Sequence, residues 1–324
     1  MKYLFKISSF LLFVCLLVGC KRFCNHPSHS PVSDSVKRNS IYYWKTRFEL
    51  DSYELDFLKR HDISRIYLRM FDVVTEYYYF VINVQIIPNA TVKFDSNVPE
   101  GIEIVPVTYI TLDALREMRG HEDFYARLIA ERMLAIASFN NCGKVNELQL
   151  DCDWTSSTKD IYDRLCGLVK DSLQSKGMEL SVTVRLHQLK ESAPPAHRGV
   201  LMLYNTGALK NPKTKNSILD IRDVLPYLRH KHYPIPLDYA YPTYGWGIMF
   251  ENNEFVSIVS ADSVARSKDM HIRYERPTAT EILKVKQLVH AKMGNPASGN
   301  ILYHLDHSQL KNFSEDEITQ ILNN

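Results

Sequence analysis

The sequence predicts an α/β protein of the (β/α)8, TIM-type barrel class. Eight short β-type runs alternate with amphipathic helical stretches over about 280 residues, the count that such a barrel needs. The chain is 45% hydrophobic, ample for one large core. An open doubly wound sheet is the competing architecture. No glycine-rich phosphate loop follows any run, which counts against it.

The runs, in order, are IYYWKTRF (41–48), RIYLRMF (65–71), IEIVPVTYI (102–110), ELQLDCD (147–153), ELSVTVRL (179–186), GVLMLY (199–204), PIPLDYAY (234–241) and NILYHL (300–305). Apolar positions recur at helical spacing over Leu112–Phe139 and Asp160–Ser175. Glu281–Met293 opens on a capping box, Thr278 with Glu281, and stops at Gly294. Ser314 and Glu317 make a second box ahead of the last helix. Two connections exceed what a barrel requires. Residues 73–95, after strand 2, read as an extra β excursion, and 246–260, after strand 7, as a hairpin turning at Asn252-Asn253. Both leave the C-terminal ends of strands, where barrel active sites lie, and can wall a cleft.

The start of the chain bears on the compartment. Residues 1–19 carry Lys2 and Lys6, then an apolar stretch from Phe10 to Val18 that is short for a membrane span, and so read as a signal peptide. The segment closes on Leu17-Val18-Gly19-Cys20, which resembles the lipobox of bacterial lipoproteins. That resemblance implies a lipidated Cys20 as the mature N-terminus, tied to a bacterial membrane in the cell envelope. An ordinary secretory signal cleaved nearby, or a short N-terminal anchor, is the alternative. Residues 20–40 are rich in Ser, Pro, His and charge, as expected of a flexible tether, leaving 41–324 as the domain. A Cys152–Cys166 or a Cys142–Cys166 bridge is compatible with the sequence, which does not choose between them. The balance of 39 basic and 37 acidic residues offers no footprint for nucleic acid. No motif calls for a cofactor.

Chemistry concentrates on strands 4 and 5. Gln149, Asp151 and Asp153 share one face of strand 4, and Thr183, Arg185 and His187 one face of strand 5. If the apolar faces meet the helices, a polar network of Asp151, Asp153, Arg185 and His187 lies inside the barrel, near the strand C-termini. A satisfied interior ion-pair network is the plain reading, a binding site the functional one. A metal held by Asp151, Asp153 and His187 is a remoter alternative.

The stretch LQLDCDWT resembles the strand-4 signature of family 18 glycoside hydrolases, the chitinase-like barrels, which runs Asp-Gly-x-Asp-x-Asp-x-Glu. Asp151 and Asp153 fall on its second and third acids, and Trp154 where the family often has an aromatic. Met202-Leu203-Tyr204-Asn205 is similar to the family's Met-x-Tyr-Asp/Asn stretch beside the substrate acetamido group. The chain is also similar to a group of bacterial secreted barrel proteins that share a stretch like LDYAYPTYGWG. Against the signature, Leu148 replaces the first acid, Gln149 the glycine, and Thr155 the glutamate that protonates the leaving oxygen. A threonine hydroxyl supplies no such proton near neutral pH, and losing a general acid typically lowers rates by about 10²–10⁴-fold.

Two readings follow from the resemblance. One is a glycosidase with relocated carboxylates, Asp153 paired with Asp238 across the mouth; Asp72, Glu251 and Asp306 are further candidates. The other is a carbohydrate-binding protein on a degenerate glycosidase barrel. Its contacts would come from Arg185, His187, Tyr204, Asn205, Tyr241, Tyr244, Trp246 and Trp154, with Trp44 read as core. An envelope assembly or scaffold protein is a third expectation.

Overall fold

Eight parallel strands close into a ring in the computed structural model, which describes residues 38–78, 83–228, 232–260 and 269–323. They are β1 (Asn39–Tyr43), β2 (Ile63–Tyr78), β3 (Glu103–Ile110), β4 (Glu147–Asp151), β5 (Glu179–Arg185), β6 (Arg198–Met202), β7 (Leu237–Pro242) and β8 (Asn300–Tyr303). Each pairs with its successor, and β1 pairs with both β8 and β2, which completes the barrel. Helices at Ser52–Arg60, Glu122–Phe139, Lys159–Gln174 and Ala279–Met293 flank it. This is the predicted TIM-type fold. The expected signal segment, the lipidation site at Cys20 and nearly all of the tether lie outside the described residues.

Local sequence sets the helix ends. Thr278 accepts from the Glu281 amide while Glu281 reaches back to the Thr278 amide, and Ser314 and Glu317 repeat the exchange. The helical span at 112–139 divides into Leu112–Glu117 and Glu122–Phe139, because the chain turns at Gly120 with φ +83°, a conformation that glycine enters without a Cβ penalty. Strand 1 ends at Tyr43; Arg47–Phe48 makes a separate short pairing with Lys93–Phe94.

The insertions are β structure. Asn83–Asn89 runs antiparallel to the long end of β2. After β7, Trp246–Glu251 pairs with both Glu254–Val259 and Met270–Glu275. Asn252 and Asn253 both hold positive φ, the two-residue turn whose twist suits a hairpin.

Outward-facing Leu148, Leu150, Val182 and Val184 are fully buried under helices, while the inward positions are polar. At the N-terminal pole Arg65 bonds Glu103 at 2.9 Å and Glu147 at 3.1 Å. Midway, Tyr42 donates to Gln149 at 2.7 Å and Gln149 to Ser181 at 3.1 Å. Burial raises the Glu147 carboxyl above its ordinary range, against the pull of Arg65 and Arg198. Cys142, Cys152 and Cys166 are all free and buried, so neither of the two bridges that the sequence allows is formed.

Gly299 leads into β8 where a Cβ would come within 2.5 Å of the Arg38 carbonyl oxygen, a backbone atom that cannot swing aside. Gly299→Ala is therefore expected to destabilise by about 1–3 kcal/mol, measured as a drop in the urea midpoint.

Candidate functional site

The C-terminal ends of β4, β5 and β6 carry the site. Asp151 closes β4 and is almost wholly buried; its Oδ1 accepts from Thr183 Oγ1 at 2.5 Å and from Arg185 Nη2 at 3.1 Å. Asp153, just past the strand, keeps 43% of its side chain exposed. Its Oδ1 takes a short bond from Arg185 Nε, and its Oδ2 a long one, 3.4 Å, from the Tyr109 hydroxyl. One guanidinium thus bridges two carboxylates, where a cation bound by the pair would have to sit. Burial raises the Asp151 carboxyl above its ordinary range; Arg185 pulls it back, Asp153 pushes it further up, and the Thr183 bond lowers it. Burial also disfavours the charged form of Arg185, but Asp151, Tyr204 and Asp153 more than offset it. Burial, then the charges of Asp153 and Asp151, raise the Tyr109 phenol.

His187 does not join this network. The chain leaves β5 in a 3₁₀ turn, Leu186–Lys190, so the strand alternation stops short of it, and Nε2 faces the Trp154 carbonyl at 3.4 Å. The Gln188 side chain, buried in the same turn, donates to the Cys152 and Trp154 carbonyls and fixes the segment that carries Asp153.

An aromatic cluster fills the centre of the mouth. Tyr204 lies 4.4 Å from Tyr303, ring to ring, with Arg185 over it at 5.7 Å. Tyr244 packs edge-on against Tyr204 and against Trp246, and donates to Asn205 Oδ1 at 2.8 Å. Asn205 holds φ +54°, which exposes its side chain at the rim. Trp246 donates to Glu275 at 3.0 Å. Trp44, partly buried, packs against Tyr42 and Tyr303, in keeping with its reading as core.

Three expected site residues lie elsewhere. Asp238 is the second residue of β7, at the opposite pole, where its Oδ1 accepts the Ser298 and Gly299 amides at 2.5 and 3.1 Å. It cannot pair with Asp153. Tyr241 shares the outward face of β7 with Tyr239, whose hydroxyl bonds the Gly294 carbonyl, and is fully buried. Trp154 is buried against Tyr162 at 6.2 Å, with Lys159 over its ring. Of the other candidate acids, Asp72 is paired with Arg69, Asp306 caps a helical turn through the Ser308 amide, and Glu251 stands exposed at the hairpin.

Beside the aspartates opens a cavity of about 260 Å³, lined among others by Asp153, Arg185, His187, Tyr204, Asn205 and Tyr227. Tyr109, Tyr303 and Tyr227 were not anticipated. Tyr109 could have been found from its place at the end of strand 3, beside Asp151 in register. Tyr227 comes from the long β6–β7 connection, whose path no periodicity encodes.

No known protein family and no curated protein matches the sequence. Solved structures do resemble it. A chitinase from Chromobacterium violaceum superposes with a TM-score of 0.55 at 12% identity, over 85% of this chain and 98% of that one. The spore cortex-lytic enzyme SleL of Bacillus cereus gives 0.53 at 13% identity, over 90% and 75%. The family 18 chitinase ChiB of Flavobacterium johnsoniae gives 0.51 at 11%, over 87% and 94%. At such identities the likeness concerns architecture: the chain has the fold of the chitinase-like TIM barrels.

Proposed function

We propose that this chain is a lipid-anchored protein of the bacterial cell envelope whose barrel binds carbohydrate without family-18-type hydrolysis. One observation carries the reading. Among the residues lining the cavity Asp153 is the sole carboxylate, and Arg185 already holds it. Family-18-type hydrolysis needs a carboxyl that protonates the leaving oxygen, and glycosidases outside the substrate-assisted families ordinarily work with two carboxyl groups. Thr155, at the place of the family's acid, shares its hydroxyl with Ser157 at 2.9 Å. Half-exposed polar groups beside an aromatic cluster suit a ligand with hydroxyls on a saturated ring. The fold's likeness to chitinases and a cortex-lytic enzyme supports a glycan as that ligand, and the Leu17–Cys20 motif supports the anchor.

The test is a glycan panel on the full chain in detergent, read for binding and for hydrolysis, with Asp153→Ala beside it. Binding without cleavage is expected, weakened about tenfold or more by the substitution, since a hydrogen bond to a charged group contributes about 1.5–3 kcal/mol. Cleavage abolished in Asp153→Ala would make the protein an unconventional glycosidase. No binding at all would move the search to protein partners in the envelope.

A further inference from the structure

The cavity beside Asp153 is small. Two 3₁₀ turns, Leu186–Lys190 and Leu225–Tyr227, pack against each other and contribute Leu186, His187 and Tyr227 to its lining. Its 260 Å³ falls under the roughly 300–1,000 Å³ of pockets for drug-sized ligands. Tyr204, the other aromatic in the lining, is spent on Tyr303 and Arg185, which cover its ring. Tyr227 is different. It lines the cavity and is 39% exposed, and no ring stacking commits it among the described residues.

The polar lining is equally specific. Among the described residues Asp153 Oδ2 takes only the long Tyr109 bond, and it remains an acceptor. Asn205 gives its carbonyl oxygen to Tyr244, which leaves the amide NH2 to donate. Thr206 Oγ1 accepts the Asp220 amide at 3.0 Å and keeps its own proton to give. An acceptor and donors in one lining are what a set of hydroxyls requires. Charge narrows the class. One Arg185 guanidinium stands against two carboxylates, so an acidic group entering the cavity meets Asp153 in a cluster whose fixed charges sum to negative. His187, with Nε2 toward the Trp154 carbonyl, is the other basic side chain of the lining.

We infer that the cavity takes a single uncharged pyranose at the end of a glycan, with Tyr227 against the ring and Asp153 receiving its hydroxyls. This rests on the carbohydrate reading and specifies it. Calorimetry on the full chain with glucose and N-acetylglucosamine oligomers of one to four units, and with glucuronate, tests it. Affinity for the bound series is expected to stay within about threefold from one unit to four, and glucuronate to bind at least about tenfold more weakly. Tyr227→Ala should weaken the monosaccharide about tenfold, and Tyr227→Phe should leave it unchanged. A tenfold gain on adding a second or third unit, or tight glucuronate binding, overturns the inference while leaving carbohydrate binding in place. If neither series binds at any length, the carbohydrate reading fails and this inference with it.

Discussion

Arg185→Met is expected to lower the stability of the barrel by about 3–5 kcal/mol near pH 7, because it strips the shared base from two aspartates. Asp151 would keep only Thr183 for its charge, in a site almost closed to water. The pH dependence has a definite sign. Burial raises the Asp151 carboxyl in the folded state, and removing Arg185 raises it further. A carboxylate lifted above its unfolded value holds its proton longer in the fold, so its contribution falls as pH climbs past the unfolded pKa. The variant's deficit should therefore be widest near neutrality and narrow as the solution approaches about pH 4.5. Urea midpoints at the two pH values measure it, and adding Asp151→Asn should restore most of the loss at neutral pH. A deficit that is flat with pH and survives the second substitution would mean that packing, not charge, was lost.

The second large effect concerns Glu275. Its buried carboxylate accepts from Ser217 at 2.5 Å, Trp246 at 3.0 Å and Arg273 at 2.7 Å. Arg273 in turn donates to the Leu209 and Asn211 carbonyls. This one acid therefore ties the three-stranded insertion to the connection that carries Asn205 and Thr206. Glu275→Ala leaves Arg273 with neutral partners only among the described residues, and about 3–5 kcal/mol of local stability should go with it. The barrel itself does not depend on the clamp, so the opening should be confined to the insertion. Limited proteolysis should cut between residues 246 and 275 at least about tenfold faster than in the unaltered chain, with far-ultraviolet circular dichroism little changed. Equal cleavage rates would show that the insertion is held by its apolar contacts alone.

Strand identity was legible in the sequence, because the inner and outer faces differ in kind: Gln149 and Asp151 alternate with Leu148 and Leu150, as Thr183 and Arg185 do with Val182 and Val184. The Asp151–Asp153–Arg185 group followed directly from that alternation. It failed where alternation stops meaning position. Asp238 and Asp153 both sit on inward faces, but one is second in its strand and the other follows its strand's end, and a run of residues does not announce which pole a side chain occupies until its ends are known. The expected run began at 234, three residues early, and this shifted Asp238 toward the mouth. Tyr241 and Trp154 were chosen for their rings; burial against Tyr239's face and Tyr162 is a tertiary matter with no local sign. Tyr227 lay in a connection read only as a connection.

The closed ring has a further consequence for how the chain may be cut. Asn39 starts β1 next to the head of β2, and the carbonyl of Asn323 is bonded by Asn300 Nδ2 at the head of β8, so the two ends of the described fold meet at one pole. The covalent start of this barrel is arbitrary with respect to its hydrogen bonds. A circular permutant joined there and opened at Asn252-Asn253 keeps every strand pair and leaves the cavity at the far pole untouched.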